Sequence, residues 1–302
     1  MIDSHCHLNL APLRNNVIEA LRLARQNGIE RIMVPGITPE SWEELRHYNH
    51  LQYSDILPID TAIGLHPYFL PNDCKAIPPL LEQFEEAVSR AVSDARSSLQ
   101  AAEDSLPGAQ GCLSSAQGCL SSAQGCLSKA QGCFSAIGET GLDSHISVDM
   151  NIQKRVLHAH LDVAEFYGLP VILHHRKSHH LLLEALKASS FSGKGVIHAF
   201  SGSIDVAERY IEKGFCLGIG GTITYERAKK TKETVAHLLR YHADCILLET
   251  DAPDMPMSGR QGQPNMPHYL TDVVTALAAL SDLEPNEVQS ITSANYARLF
   301  RS

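Results

Sequence analysis

Residues 170–176 read Pro-Val-Ile-Leu-His-His-Arg, a short apolar run that ends abruptly in polar residues. Stretches with helical periodicity lie on both sides of this run, at residues 153–167 and 180–188. A strand between two helices is the repeating element of parallel β/α folds. The run therefore predicts one β/α unit, and the same pattern recurs along the chain.

Eight such runs alternate with eight helix-like intervals. The predicted strands are the start at Ile2 and residues 31–35, 60–65, 134–138, 170–173, 195–197, 215–219 and 245–248. The predicted helices are residues 16–26, 40–51, 79–102, 153–167, 180–188, 205–212, 232–241 and 270–280. Eight alternating units predict an α/β fold, a closed (β/α)8 or TIM barrel, as a single domain over residues 1–302.

One segment interrupts the alternation before the fourth predicted strand. Residues 109–135 read AQGCLSS, AQGCLSS, AQGCLSK and AQGCFS, so we interpret 109–133 as an inserted heptapeptide repeat. In a helix, its Ala, Cys and Leu would form an apolar stripe, although a glycine in every heptad costs about 1 kcal/mol relative to alanine. A neutral repeat expansion and a partner-binding stripe are the two interpretations, and we favour the first.

Composition excludes some classes of protein. With 44% hydrophobic and 20% charged residues, the chain is typical of a soluble globular protein. The formal charge of −9 argues against broad coating of nucleic acid, although a small basic patch remains compatible with it. We expect neither a secretory signal nor a membrane span, and the cysteines form no CxxC pair. We therefore expect a cytoplasmic protein with free thiols and no obligate protein partner, for which a monomer is adequate.

The first strand ends in a candidate metal-binding motif. His5 and His7 flank Cys6, and residues i and i+2 of a strand point to the same face, so the two imidazoles converge and Cys6 points away. His158 and His160 repeat the HxH spacing within a predicted helix, where such residues do not share a face. We expect that second pair on the helix surface.

Other predicted strands also end in histidine or carboxylate residues. Active sites of these barrels form at the carboxyl ends of the strands. The candidate metal ligands are His5, His7, Glu139, His174, His198 and Asp251. Four imidazoles and two carboxylates suit zinc, manganese, cobalt or nickel, and magnesium if water completes the shell.

This number of ligands suits two ions, which in hydrolytic sites share a bridging ligand. Glu139 is the natural bridge, with His5, His7 and Asp251 on one ion, and His174 and His198 on the other. Asp251 would accept the proton of the attacking water, so Asp251 and Glu139 are the candidate catalytic residues. The pattern predicts metal-assisted hydrolysis at phosphorus or a carbonyl carbon.

Neighbouring residues have two interpretations each. His66 is a candidate substrate contact or a histidine bonded to backbone, and Arg176 could clamp a phosphate or form a surface ion pair. Asp143 and Glu249 could orient ligands from behind, or serve only the structure. The basic run at residues 227–232 either attracts phosphate locally or is a solvated helix start.

These motifs resemble the TatD family of metal-dependent hydrolases, within the amidohydrolase superfamily, over nearly the whole chain. They run from DSHCHL at residue 3 through GLHP, GETGLD, LPVILHHR, HAFSGS and ETDAP to NYARLF at residue 295. GGTITYERAKKT at 220, ETDAPDMP at 249 and GQPN at 262 further resemble its YjjV-type branch. The resemblance implies a (β/α)8 barrel, the same six residues as metal ligands, and phosphodiester hydrolysis, with several DNases among the members.

The chain departs from the family pattern in two places. Where relatives have His-Ser-Arg, this chain has His174-His175-Arg176, and the resemblance makes His174 the ligand. The repeat ends only six residues before Glu139, and a shift of one residue in the strand would turn that side chain outward. The intact motif after the repeat argues against such a shift.

Three functions compete. The first is a phosphoesterase or phosphodiesterase, including a nuclease that acts on DNA ends. The second is hydrolysis of a lactone or cyclic amide, against which the absence of a lysine at the end of the fourth strand weighs mildly. The third is an inactive metal-binding adaptor that uses the Cys/Leu stripe of the repeat.

Overall fold

The computed structural model describes residues 1–48, 53, 55–104 and 134–301. Eight parallel strands form one sheet in the order of the sequence, and helices alternate with them, which confirms the predicted (β/α)8 barrel. The strands are β1 (Ile2–Asp3), β2 (Arg31–Pro35), β3 (Ile59–Ile63), β4 (Ala136–Asp143), β5 (Val171–Arg176), β6 (Gly195–Ile197), β7 (Phe215–Ile219) and β8 (Ile246–Leu248).

The first and last strands meet through a few bonds rather than a full ladder. The Ser4 amide donates to the Leu248 carbonyl oxygen over 2.8 Å. The buried Asp3 carboxylate accepts the Thr250 amide at 3.0 Å and the Thr250 hydroxyl at 2.6 Å. These bonds bring the end of β1 beside the end of β8, and the barrel is nearly closed.

The predicted helices are present with shifted ends. They are α1 (Val17–Gln26), α2 (Pro39–Tyr48), α3 (Ile77–Asp104), α4 (Met150–Tyr167), α5 (His179–Ala188), α6 (Ile204–Ile211), α7 (Lys229–Tyr241) and α8 (Leu270–Ala278). Gly168 ends α4 with a φ of +65°, a left-handed conformation that glycine adopts without steric cost. None of the helices in the described part of the chain is long and apolar enough to cross a membrane.

A further helix, α9 (Pro285–Phe300), lies beyond the last predicted one. The Glu284 side chain accepts the backbone N–H at the third helical position, and the Glu287 side chain accepts the Glu284 amide. This reciprocal capping stabilises the start of the helix. The buried face of α9 mixes apolar side chains with Thr292 and Asn295, so its apolar periodicity is weak and the prediction missed it.

Helix α9 closes the amino-terminal end of the barrel. The Asn295 side-chain amide donates to the carbonyl oxygens of Ala243 and Ile246, at the start of β8. The Tyr296 hydroxyl donates to Asp60, near the start of β3. Above the helix, one buried side chain from each of seven strands forms an inner layer, which packs against Tyr296, Leu299 and Phe300. That layer consists of Met33, Ala62, Ala136, Ile172, Val196, Cys216 and Leu247.

The expectation for the second HxH pair was wrong for His160. Its side chain is fully buried, and its ring stacks on Phe84 at a centroid distance of 3.9 Å. Nε2 accepts the Leu65 amide at 3.0 Å, so Nδ1 carries the hydrogen and donates to the Val156 carbonyl oxygen. His160 lies on the face of α4 that packs against the barrel, and both of its nitrogens are satisfied there.

The predicted insertion at 109–133 lies outside the described residues, and only its flanks can be placed. Phe134 is buried, and the Ser135 amide donates to the Thr61 carbonyl oxygen over 2.7 Å. The strand β4 begins directly after them at Ala136. Phe134 and Ser135, which directly follow the predicted insertion, therefore lie at the amino-terminal end of β4.

Candidate active site and metal centre

A cavity of about 790 Å³ opens at the carboxyl ends of the strands. Residues of β4 and β5 and of the segments that follow β1, β2, β3, β5, β6 and β8 line it, which is where barrel enzymes place their chemistry. Of the predicted site residues, His7, His66, Glu139, His174, Arg176, His198 and Asp251 line this cavity. His5 is fully buried beneath them.

Glu139 lies at the centre of the cluster, with only 1% of its surface exposed. One oxygen, Oε2, is 3.1 Å from Nε2 of His5 and 3.4 Å from Nε2 of His7. The two imidazole nitrogens are themselves 3.2 Å apart. The first oxygen of Glu139 thus faces the histidines of the first strand.

The other oxygen of Glu139, Oε1, faces a different group of histidines. It is 3.1 Å from Nδ1 of His174, 3.4 Å from Nε2 of His66 and 3.5 Å from Nε2 of His198. One carboxylate therefore stands between two sets of nitrogen donors. This is the arrangement that a bridging ligand between two ions requires.

Two glycines bring Glu139 to this position. The ladder between β4 and β5 shifts register between Ile137 and Thr140, so the strand bulges at Glu139. Gly138 and Gly141 have φ angles of +141° and +152°. A Cβ at Gly138 would lie 2.5 Å from the Ile172 carbonyl oxygen, and one at Gly141 would collide with the backbone of the next strand. The glycines of the GETGLD motif allow this close approach.

Asp251 approaches the cluster from the end of β8. Its Oδ1 lies 3.7 Å from Nε2 of His7 and 3.8 Å from Nε2 of His5, while Oδ2 lies 3.9 Å from Nε2 of His198. The Asp251 amide donates to the His5 carbonyl oxygen. The buried Asn265 side chain donates to the Thr250 carbonyl oxygen over 2.7 Å and supports the same turn.

The two carboxylates have opposite electrostatic environments. Burial alone would raise the pKa of Glu139, but the surrounding His66, His5 and His198 hold it well below its usual range. Burial raises the pKa of Asp251 to about 7, because His7 offsets only part of that effect and Glu139 adds to it. Glu139 is thus the anion of the pair, and Asp251 takes up a proton more readily.

Two further carboxylates lie beside histidines of the cluster, Asp143 in a hydrogen bond and Glu249 in a close contact. Asp143 Oδ2 lies 3.4 Å from Nε2 of His174. Glu249 Oε1 accepts the Ala199 amide and lies 3.2 Å from Nδ1 of His198. Such contacts fix the orientation of a ligating imidazole.

The adjacent histidines of β5 have different surroundings. His174 reaches Glu139, whereas the ring of His175 packs on that of His179 at a centroid distance of 4.0 Å. Both ring nitrogens of His175 are buried without a hydrogen-bond partner among the described residues. Burial and the neighbouring His179 lower its pKa well below the usual value. The strand thus directs only His174 to the carboxylate.

Cys6 and the basic run at 227–232 are the remaining residues considered from the sequence. Cys6 is fully buried in the outer core, away from the cluster, as expected. The basic run at 227–232 contributes no side chain to the cavity lining in the described part of the chain.

Several residues of the site were not predicted. Tyr68, Phe69 and Lys177 line the cavity, while Asp3 and Asn265 brace its floor. Alternation from Asp3 through His5 and His7 could have indicated Asp3.

The residues present fit divalent cations. Within this cluster, three groups have donor atoms within 4.8 Å of one another: His5, His7 and Asp251; His5, Glu139 and His198; and His66, Glu139 and His174. Imidazole nitrogens and carboxylate oxygens, converging in a buried place, are the ligands of borderline divalent ions. A β/α barrel with these donors at its carboxyl-terminal face has the architecture of metal-dependent hydrolases.

The sequence pattern described as "TatD related DNase" matches residues 2–301, and the chain belongs to this family. The chain is 32% identical over 300 residues to the Escherichia coli K12 protein YjjV, described as an uncharacterized metal-dependent hydrolase, with 99% of this chain and 97% of that protein covered. It is 27% identical over 307 residues to Bacillus subtilis YabD, which is described in the same words, with 100% and 99% covered.

Solved structures agree on the fold. The crystal structure of YjjV, described as a TatD homologue, superposes with a TM-score of 0.78 and covers 100% of this chain and 98% of its own. The E. coli phosphotriesterase homology protein, solved with phosphate in its active site, has a TM-score of 0.63 at 13% identity, covers 99% and 98%, and shows the fold alone. With its family and its relatives, the chain is a metal-dependent hydrolase.

Proposed function

We propose that this hydrolase cleaves phosphodiester bonds, with nucleic acid as the substrate class and DNA ends among the substrates. The observation that carries the proposal is the position of Arg176 and Lys177, two exposed cations that line the same cavity as the donor cluster. A guanidinium matches the geometry of phosphate oxygens, and an ammonium adds a point charge. Because the whole chain has a formal charge of −9, these cations supply the local attraction for an anionic substrate.

The donor cluster supports a site for two divalent ions of the zinc, manganese, cobalt, nickel or magnesium group. Glu139 would bridge them, with His5, His7 and Asp251 on one side, and His174 and His198 on the other. Bound ions would polarise the phosphate and lower the pKa of the attacking water. Asp143 and Glu249 would keep the imidazoles of His174 and His198 in their orientations.

The proton of the attacking water would pass to Asp251. Its carboxylate lines the cavity, and its side chain is 13% exposed against 1% for Glu139, so a water in the cavity can reach it more readily. Glu139, held as an anion, would serve in binding and not as the base.

His66 would donate a hydrogen bond to the substrate. Its Nδ1 accepts the Tyr68 amide at 3.1 Å, so the hydrogen of the neutral ring is on Nε2, which faces the cluster. Burial lowers the pKa of His66, and the ring stays neutral. A neutral Nε2–H can bind a phosphoryl or leaving-group oxygen.

Two exposed aromatic side chains favour nucleotides over simple phosphate esters. Tyr68 is 64% exposed and Phe69 is 47% exposed, and both line the cavity. Their rings lie 5.1 Å apart in an edge-to-face arrangement. Exposed aromatic rings beside cations are typical of surfaces on which unpaired bases stack.

A substrate panel tests the proposal. The protein, loaded in turn with zinc, manganese, cobalt, nickel or magnesium, would be assayed on bis-p-nitrophenyl phosphate, single-stranded DNA and simple lactones. We expect cleavage of the two phosphodiesters. Lactone hydrolysis without phosphodiester cleavage would favour the carbonyl reaction, and no cleavage of any substrate would favour a metal-binding adaptor.

The variant Arg176→Ala tests the observation on which the proposal rests. We expect kcat/KM for phosphodiesters to fall by about 10- to 100-fold, as the loss of a charged hydrogen bond of about 1.5–3 kcal/mol implies. Arg22→Ala, at an exposed position of α1, is the matched control. Equal rates for the two variants would remove the main support for a phosphate substrate.

We also propose a cytoplasmic location and a monomer that needs no obligate protein partner. The four cysteines among the described residues are free thiols, which suits a reducing compartment.

A further inference from the structure

A second group of metal-binding residue types lies on the outer helices, away from the cavity. Glu208 of α6, His237 of α7 and His242 each offer one donor atom, and these atoms lie within 4.8 Å of one another. Nε2 of His237 is 3.0 Å from Oε1 of Glu208, and the rings of His237 and His242 are 6.0 Å apart. None of the three lines the active-site cavity.

The end of α7 brings the two histidines together. Residues five apart in a continuous helix point about 140° away from each other, so His237 and His242 would diverge. The helix ends at Tyr241, and His242 leaves it with a φ of −142°. This change of direction returns the second ring to the side of the first, which spacing in the sequence alone does not reveal.

The charge of Glu208 is available to a cation. Within the described chain, its ion pair is with His237, and no lysine or arginine nitrogen lies within 4.0 Å of its carboxylate. The side chains of His237 and Glu208 are 25% and 43% exposed, so water can reach the group and complete a coordination shell.

We propose that Glu208, His237 and His242 bind a divalent cation of the zinc type, separate from the ions of the barrel. Two imidazoles and one carboxylate are a ligand set that zinc uses in proteins, with water in the fourth position. Metal–ligand distances of about 2.0–2.1 Å place tetrahedral donors about 3.4 Å apart. The 3.0 Å pair is already that close, and the donor atom of His242, within 4.8 Å of both, has to approach by no more than about 1.4 Å, within the reach of a partly exposed side chain.

The ion would link α6 to the end of α7. α6 has only eight residues, and a shared ion would tie it to the end of its neighbour. The role is therefore structural, because the ion would stabilise the fold without touching the substrate. The inference does not depend on the proposed phosphodiesterase activity.

Zinc stoichiometry tests the proposal. Protein dialysed against zinc-buffered solution would be analysed by mass spectrometry for the number of ions per chain. His242→Gln and Glu208→Gln should each bind one ion fewer than the unchanged protein, with the same hydrolytic activity. Zinc should raise the thermal unfolding temperature of the unchanged protein more than that of either variant.

His180→Gln is the matched control, since His180 is an exposed histidine of α5 outside the group. It should bind as much zinc as the unchanged protein. Equal zinc content in the control and in both variants would overturn the proposal and leave a hydrogen-bonded imidazole–carboxylate pair. Because the readout is a difference in bound ions, it stays decisive if the protein cleaves no phosphodiester.

Discussion

Glu139 is the residue on which the site depends most. Its two oxygens face different sets of imidazoles, and a water in its place would carry no negative charge. Loss of this carboxylate would leave two sets of nitrogen donors without a shared anion, and the repulsion between bound cations would no longer be offset. Metal binding and hydrolysis are therefore expected to depend on it together.

Glu139→Ala tests this dependence. We expect metal content to fall and activity to drop by more than about 100-fold, since loss of a supporting residue behind a ligand already costs 10- to 100-fold. Metal analysis and phosphodiesterase rates would be measured on the same preparation. Glu19→Ala, an exposed site on α1, is the control, and retention of both properties in Glu139→Ala would refute the bridging role.

His160 makes stability depend on pH. Burial lowers its pKa from 6.5 to about 4, and the hydrogen bond to the Val156 carbonyl oxygen offsets only part of that effect. Between these values the unfolded chain binds the proton and the folded chain does not, so stability falls as pH falls from about 6.5 to 4.

We expect the free energy of unfolding to decrease by about 2 kcal/mol between pH 7.5 and 5.0 through this residue. His160→Gln should lack that component, as measured by urea unfolding at both pH values. His180→Gln, at an exposed position, should retain it. Parallel pH profiles for the unchanged protein and His160→Gln would contradict the assignment.

Among the elements, α9 is the helix that closes the amino-terminal end of the barrel. Its Asn295 side chain donates to two carbonyl oxygens at the start of β8, those of Ala243 and Ile246, and the Ala243 oxygen also accepts the Ile246 amide. The helix lies at the opposite end of the barrel from the cavity, so its contacts should govern stability and leave the chemistry unaffected.

Asn295→Ala should lower the free energy of unfolding by about 1–2 kcal/mol, since the Ile246 carbonyl oxygen loses its donor and the Ala243 carbonyl oxygen loses one of two. Activity measured well below the unfolding temperature should be unchanged. Asn286→Ala makes the same substitution at an exposed position of the same helix. Equal unfolding temperatures for the two variants would show that the bonds do not hold the helix in place.

The same comparison of elements shows what sequence could predict. Strands that are buried on both faces have continuous β-branched runs, and the polar residue after each run marks its carboxyl end. One sequence pattern therefore predicted both the fold and the position of the candidate site. The helix α9 was not predicted, because its buried face includes the polar residues Thr292 and Asn295 and its apolar periodicity is therefore weak. His160 was misplaced because periodicity does not reveal which helix face meets the barrel, and Tyr68 and Phe69 gave no signal because exposure is a property of the folded chain.

At the scale of the whole molecule, the two ends of the barrel differ. One end is closed by α9 and receives the chain from the repeat, and the other holds the cavity. The described flank of the repeat has its own anchors, in the buried Phe134 and the bond from Ser135 to Thr61. The repeat should therefore be dispensable for catalysis.

Deletion of residues 109–129 removes three whole copies of the repeat and tests this separation. We expect unchanged metal content and unchanged phosphodiester hydrolysis, because β4 keeps its anchors. A second variant, in which a glycine–serine linker of the same length replaces residues 109–129, separates the effect of the repeat's sequence from that of its length. Lost hydrolysis in the deletion would tie the repeat to the site, and loss of a binding partner with intact hydrolysis would support an adaptor role.

The closure by α9 also bears on how the protein is made. The inner layer of seven strands gains its cover only when residues 285–300, which follow all eight strands in the sequence, have been synthesised. During translation, the strands leave the ribosome well before that cover, with their apolar inner faces accessible to water and to other nascent chains. The newly made chain would thus depend on chaperones most strongly in the interval before α9 emerges.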